Sequence, residues 1–309
     1  MTQGCAERCQ IWRFGDNSRR WLILLLLAGV LVGEAADKKI LLIAGRPSHG
    51  PGDHEFRAGS ILLEKCLDKL SGITAEVHDM GWPKSDDAFN GVDAILVYAD
   101  GGGRHPAMKP ERTKLINTLI AKGVGVGCAH YGVEVPAGDT GKTMQDWIGG
   151  YYEHKFSVNP MWAPDYQKFP KHPIANGVKP FKVVDEWYFN MRFRTDSVGK
   201  VTPILTAKPG KDVRDGPYVY PRGPYKHIVE NEGRAETMMW AYERPNGSRG
   251  LGFTGGHKHG NWGNDNYRKV VLNGLLWLAK IEVPEGGVQS KVSAEELKQN
   301  LDPKGRRKK

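Results

Sequence analysis

The sequence predicts an α/β protein, an open sandwich around a mainly parallel central sheet. Three observations carry this. KKILLIAG (38–45) is a continuous apolar run ending in glycine, the pattern of a strand buried on both faces. Runs of this kind then alternate with segments of helical periodicity, which implies right-handed crossovers between parallel strands. The ionisable residues gather just after those runs, where open α/β sheets keep their ligand crevice. With 309 residues, 39% hydrophobic and 26% charged, the chain has the composition of an ordinary globular protein of one large or two small domains.

Taken in order, the strand at 38–45 leads into a polar loop, RPSHGPGDH (46–54). EFRAGSILLEKCLDKL (55–70) follows with apolar residues at helical spacing and Asp53 placed to cap it. ITAEVHDM (73–80) and AILVYAD (94–100) read as strands, MKPERTKLINTLIAKG (108–123) as a helix, and VGVGCAH (124–130) as a fourth strand. The second half is less regular. TMQDWIGG (143–150) predicts a short helix, and YYEHKFSVN (151–159) and FKVVDEWYF (181–189) predict strands. VTPILTA (201–207), ETMMWAYE (236–243) and GLGFTGG (250–256) read as further strands, and DNYRKVVLNGLLWLAK (265–280) as a closing helix. One domain is expected over 37–283, followed by a polar, basic tail at 284–309, whose last six residues, KGRRKK, hold five basic side chains and read as a solvated end.

Residues 1–35 stand apart. Arg13, Arg19 and Arg20 precede WLILLLLAGVLV (21–32) and then small residues at Gly33 and Ala35. This is the pattern of a secretory signal cleaved near Ala35, and the apolar run is short of the roughly 20 residues of a membrane span. The expectation is an exported protein of the periplasm, envelope or exterior, with no stable span after cleavage. Cys66 and Cys128 would then be the remaining cysteines, too few for a disulfide framework. Residues 304–309 alone supply five of the basic residues behind the net charge of +9, and no nucleic-acid module interleaves aromatic with basic residues. GGGRHP (101–106) lacks the G-x-G-x-x-G order and no Walker loop occurs, so nucleotide binding is not supported.

Most of the ten histidines sit at predicted strand ends. His49 and His54 follow the first strand, Arg104 and His105 the third, His130 the fourth. His130, bordered by Gly127 and Gly132, is placed for acid–base work or metal ligation, with Glu134 a turn later to orient it or to face water. Cys128 reads as core rather than nucleophile, because an elbow would seat His130 at its tip. In Asp185-Glu186-Trp187-Tyr188, alternation turns Glu186 and Tyr188 to one face and Asp185 to the other. In TGGHKHGNW (254–262) the glycines let the backbone pass close to a ligand, His257 is the site residue, and Trp262 a wall. A zinc-type site is chemically open, although no compact metal signature is present.

These motifs together resemble the ThuA-like (trehalose utilisation) family. The resemblance rests on KKILLIAG with SHGPGDHEF, GVGCAHYG, IGGYYEHKF, KHPIANGV, DEWY, and FTGGHKHGNW before NYRKVVLNGLLWLAK, spread over 38–283. The GGHKHGNWGND ending is similar to secreted versions from planctomycete-type bacteria. The resemblance implies a flavodoxin-like sandwich related to class I glutamine amidotransferases, with His130 where those enzymes carry cysteine. It implies a role in carbohydrate metabolism on sugars or keto-sugars, with His130, Glu186 and His257 catalytic. The family's F-x-x-H element falls on His154, with Tyr replacing Phe. Around these, His49, His54, Arg104, Tyr188, His259 and Trp262 are read as substrate-binding.

Three functions follow. The first is His/Glu acid–base chemistry on a keto-sugar or glycoside, an isomerase or lyase step. The second is a hydrolase using a divalent metal such as zinc, with His130, His154 and His257 as ligands. The third is a non-catalytic carbohydrate-binding envelope protein in which Trp147, Trp162, Trp187 and Trp262 stack on sugar rings. Assembly of identical copies stays open in each.

Overall fold

The computed structural model describes residues 37–305; the signal reading at 1–35 and the last four residues lie outside them. Seven strands form one sheet: β1 (Lys38–Ala44), β2 (Ile73–His78), β3 (Val92–Tyr98), β4 (Gly125–Ala129), β5 (Lys200–Ala207), β6 (Glu236–Glu243) and β7 (Arg249–Phe253). Their spatial order is β5-β6-β7-β4-β3-β1-β2. β2, β1, β3, β4 and β7 run parallel, and β6 is antiparallel to both its neighbours. The chain leaves β1 toward β2 on one side and then crosses to β3 on the other. That reversal is the switch point where such sheets open a crevice.

The apolar runs of the central strands are continuous because both faces are covered. Ile40, Leu42 and Ala44 of β1 face one core, shared with α1 (Phe56–Leu67) and α4 (Asp265–Leu278). Leu41 and Ile43 face the other, shared with α2 (Pro110–Ala121) and α3 (Asp139–Ile148). All five side chains are fully buried, and truncating any of the larger ones to alanine would cost about 2–5 kcal/mol. Pro110 opens α2, where its missing N–H costs nothing. The Asn264 side chain accepts the first free N–H groups of α4. Among the described residues no helix is long and apolar enough to cross a membrane.

Four expectations need correction. Of 151–159 only Tyr151 belongs to a strand, the two-residue Gly150–Tyr151; Tyr152 and Val158 make single bridges, to Glu134 and Phe189, and the chain turns between them at Glu153–Ser157. There the Glu153 carboxylate collects Tyr151 and Arg192, a local network that competes with extension. The 181–189 run breaks into Phe181–Lys182, paired with Asp165–Tyr166, and Asp185–Glu186, paired with Met161–Trp162, so its two halves join different partners, and the Asp185 carboxylate accepts from the N–H groups of Gly256 and Lys258. Asp53 does not cap α1. Glu55 stands at that end, and Asp53 bonds Lys258. Lys304, the first residue of the end read as solvated, is not solvated: its side chain is only 5% exposed, and before it Val288 is buried against the α4 core.

Candidate functional site

At the carboxyl ends of β1, β4 and β7, three histidines meet. The loop after β1 delivers His54, the turn after β4 delivers His130, and the loop after β7 delivers His257. Glu186 enters from outside the sheet, on the short strand paired with Met161–Trp162. All four are buried. His130 has φ +52° and His54 φ +49°, left-handed backbone that non-glycine residues adopt sparingly and that gathers at functional sites. His130 sits at the tip of a sharp strand-to-helix turn, and a Cβ on Gly132 would meet the Val97 carbonyl oxygen at 2.9 Å. The small residue two places beyond the tip is therefore required, as in a nucleophile elbow, with an imidazole in the nucleophile's place. Cys128 lies buried behind it, next to Met144, and burial pushes its thiol up to about 12, which makes it inert core.

The ring nitrogens face one another. His54 Nε2 is 2.9 Å from His130 Nε2 and 3.0 Å from His257 Nδ1. Glu186 Oε2 is 2.7 Å from His257 Nδ1 and 3.6 Å from His130 Nε2. The outer partners assign the protons. His130 Nδ1 lies 3.0 Å from the Thr254 carbonyl, which only accepts, so Nδ1 carries the hydrogen. His54 Nδ1 lies 3.0 Å from the Asp100 carboxylate, which Ser48 also holds, and carries its hydrogen too. Burial, with neighbouring imidazole charge, holds both His54 and His130 well below the usual histidine range, so both are neutral. Two unprotonated nitrogens are then left 2.9 Å apart, with His257 Nδ1 3.0 Å from that of His54 and the Tyr188 hydroxyl 3.3 Å from that of His130.

His257 differs. Burial opposes its charge, but hydrogen bonds to Asp53 and Glu186 outweigh that and raise it to about 9. Glu186 is pushed up by burial and pulled back by His257; the ionised pair is the state we favour, since two carboxylates flank the ring. Asn159 donates to the other Glu186 oxygen at 2.8 Å. Tyr188 O–H lies 3.3 Å from His130 Nε2. As alternation requires, Asp185 turns away from this cluster, toward Gly256, Lys258 and Tyr267.

The cluster opens on a cavity of about 720 Å³, walled by His54, Glu186, Tyr188, Tyr131, Arg104 and Glu134 among others. His49, its ring centroid 3.6 Å from that of His54 and tilted 30° to it, lines the cavity too. Glu134 does not orient His130. Its backbone bonds Gly102 and Tyr131, and its carboxyl reaches the cavity, where burial and the charge of Glu186 raise it to about 7.

Several predicted residues fall elsewhere. His154 is not with the other ligands but on the cavity rim beside Tyr220, because the turn at Glu153 carries it outward. His259 points away and bonds the Leu297 carbonyl. Trp262 is buried against Tyr98 and Tyr267, in the α1–α4 core. Trp147, Trp162 and Trp187 are core as well, and the rings that line the cavity are those of tyrosines and histidines. Conversely, sequence reasoning gave no role in ligation to His54, which bridges the cluster, and missed Asp100, Ser48, Asp53 and Asn159. The position of Asp100, just past the third strand, was the one available signal.

No curated protein matches the chain. Among solved structures it is similar to a putative ThuA-like protein from Bacteroides uniformis, at 15% identity and TM-score 0.53, over 79% of this chain and 92% of that one. A cytoplasmic protein from Salmonella typhimurium aligns at 12% identity and TM-score 0.44, over 78% and 98%. The first likeness bears on the fold and agrees with a flavodoxin-like sandwich. The family model described as ThuA, trehalose utilisation, matches residues 41–278, and the chain belongs to that family.

Proposed function

We propose that this protein is a metal-dependent enzyme acting on a sugar, a keto-sugar or a glycoside, with a divalent ion of the zinc kind held by His54, His130, His257 and Glu186. The observation that carries this is the facing pair of unprotonated nitrogens, His54 Nε2 and His130 Nε2. Two acceptors in contact repel, and burial removes the solvent that would relieve them. A cation between them turns repulsion into ligation. Tetrahedral sites with metal–ligand distances near 2.0–2.1 Å separate their ligand atoms by about 3.3 Å; four of the six separations here run from 2.7 to 3.6 Å, and all lie within 4.8 Å. Three imidazoles and a carboxylate suit zinc and its first-row neighbours.

The outer partners also fit. Asp100 on His54, the Thr254 carbonyl on His130 and Asp53 near His257 fix each ring's orientation, as second-layer groups of metal sites do. A bound ion would supply Lewis-acid polarisation of a carbonyl or of water. The chain's own residues supply the rest. Glu134, neutral up to about pH 7, donates a proton to a departing or developing oxygen. Tyr131 and Tyr220 offer ring faces for a sugar, and Arg104 a fixed positive charge. Family membership supports carbohydrate as the substrate class. Export remains part of the reading, on the strength of residues 1–35.

Metal analysis of protein purified without chelator, run beside turnover of 3-keto-glycosides and plain glycosides, tests this. We expect one divalent ion per chain, and activity that is lost on chelation and in His130→Ala. Turnover that persists in metal-free protein would favour the second reading, proton transfer by the His257–Glu186 pair alone, which their 2.7 Å contact supports.

A further inference from the structure

Lys304 reaches the loop that carries His54. Lys304 is nearly fully buried, and an ammonium has three hydrogens to satisfy there. It finds three acceptors on three consecutive residues: the Asp53 carbonyl, the His54 carbonyl at 3.2 Å and the Glu55 carboxylate at 3.2 Å. Glu55, itself 1% exposed, also accepts from the N–H groups of Gly52 and Asp302, at 2.9 and 2.8 Å. On the opposite side the same loop is tied to the strand-end segment of His257. The His54 N–H donates to the His257 carbonyl, and the His259 N–H to the Gly52 carbonyl, both at 2.9 Å.

We propose that Lys304 is a positioning residue of the site, and that the 284–304 segment is a strap holding His54 in ligating geometry. His54 has left-handed backbone at φ +49°. Such a conformation persists only where its surroundings over-determine it. Lys304 bonds the carbonyls at and before that residue, and so fixes the peptide units flanking the strained position. The strap has its own anchors: Arg268 holds Ser290, Val288 N–H donates to Asn273, and Arg57 bonds the Asn300 carbonyl. The role assigned to His54 rests on the metal reading; the effect of the strap on the loop does not.

The test uses Lys304→Met and the double variant Glu55→Gln/Lys304→Met, which removes both members of the closer buried ion pair should the single variant fold poorly. Amide exchange at 52–55 is expected to speed up at least tenfold in both, with α2 unchanged. Zinc affinity, measured against a chromophoric chelator, is expected to fall by about 10- to 100-fold, the usual loss when an outer-layer partner is removed. Unchanged exchange at 52–55 overturns the strap. Faster exchange with undiminished zinc affinity overturns the positioning role. Should the wild-type protein take up no zinc, the metal reading fails by itself and the exchange measurement still decides the strap.

Discussion

Replacing Glu134 by glutamine should make the metal-free protein more stable at alkaline pH and leave it little changed in acid. The carboxyl moves from an ordinary 4.5 to about 7 in the folded chain, through burial and then through the charge of Glu186. Between those values the unfolded chain releases the proton and the folded chain keeps it. The folded state therefore binds more protons, and stability falls as pH rises through the window. At 1.36 kcal/mol per tenfold change in proton affinity, the gap amounts to about 3 kcal/mol at most. The side chain lines an open cavity, so about 2 kcal/mol is the expected size after screening. Urea unfolding in chelator at pH 5 and pH 8.5 reads it as the change in the variant-minus-wild-type difference. Any constant effect of the amide cancels. A difference that does not move between the two pH values would refute the raised carboxyl, and with it the assignment of Glu134 as proton donor.

Other outcomes follow from the same geometry. Zinc affinity should fall about tenfold per pH unit from pH 8 to pH 6, because His257, raised to about 9, must release one proton to ligate while His54 and His130 are already neutral; a flat profile, or one twice as steep, contradicts the proton inventory. Gly132→Ala should cost about 1–3 kcal/mol in urea unfolding, since its Cβ would press on the Val97 carbonyl at 2.9 Å. An unchanged midpoint would show that the turn has room. Asp185→Asn should destabilise by about 2 kcal/mol by leaving part of the set Gly256 N–H, Lys258 N–H and Tyr267 O–H without its acceptor. Amide exchange at 256–258 should rise with it, and wild-type protection there would count against the role.

The sheet was legible because its strands are buried on both faces, and burial on both faces leaves an uninterrupted apolar run such as 38–45 or 94–100. The site was legible in part for the same reason: strand ends converge, so His130 and His257 were drawn together by topology alone. What escaped was set by side chains acting across the fold. The 181–189 run alternates like a strand, yet Asp185 spends its oxygens on a loop some seventy residues away. His154 lost its place to His54 because the polar network at Glu153 turned the chain before it reached the cluster. The tail looked solvated because its charge was counted without its partner. Lys304 is buried through Glu55, 249 positions earlier, and no local pattern encodes a pairing of that span.

The most direct test of the central claim is zinc K-edge X-ray absorption on protein loaded with one equivalent of zinc. The account predicts a single site with three imidazole nitrogens and one carboxylate oxygen at about 2.0–2.1 Å, and loss of one nitrogen from that shell in His54→Ala. Failure to retain stoichiometric metal, or a ligand shell untouched by the loss of His54, would contradict it.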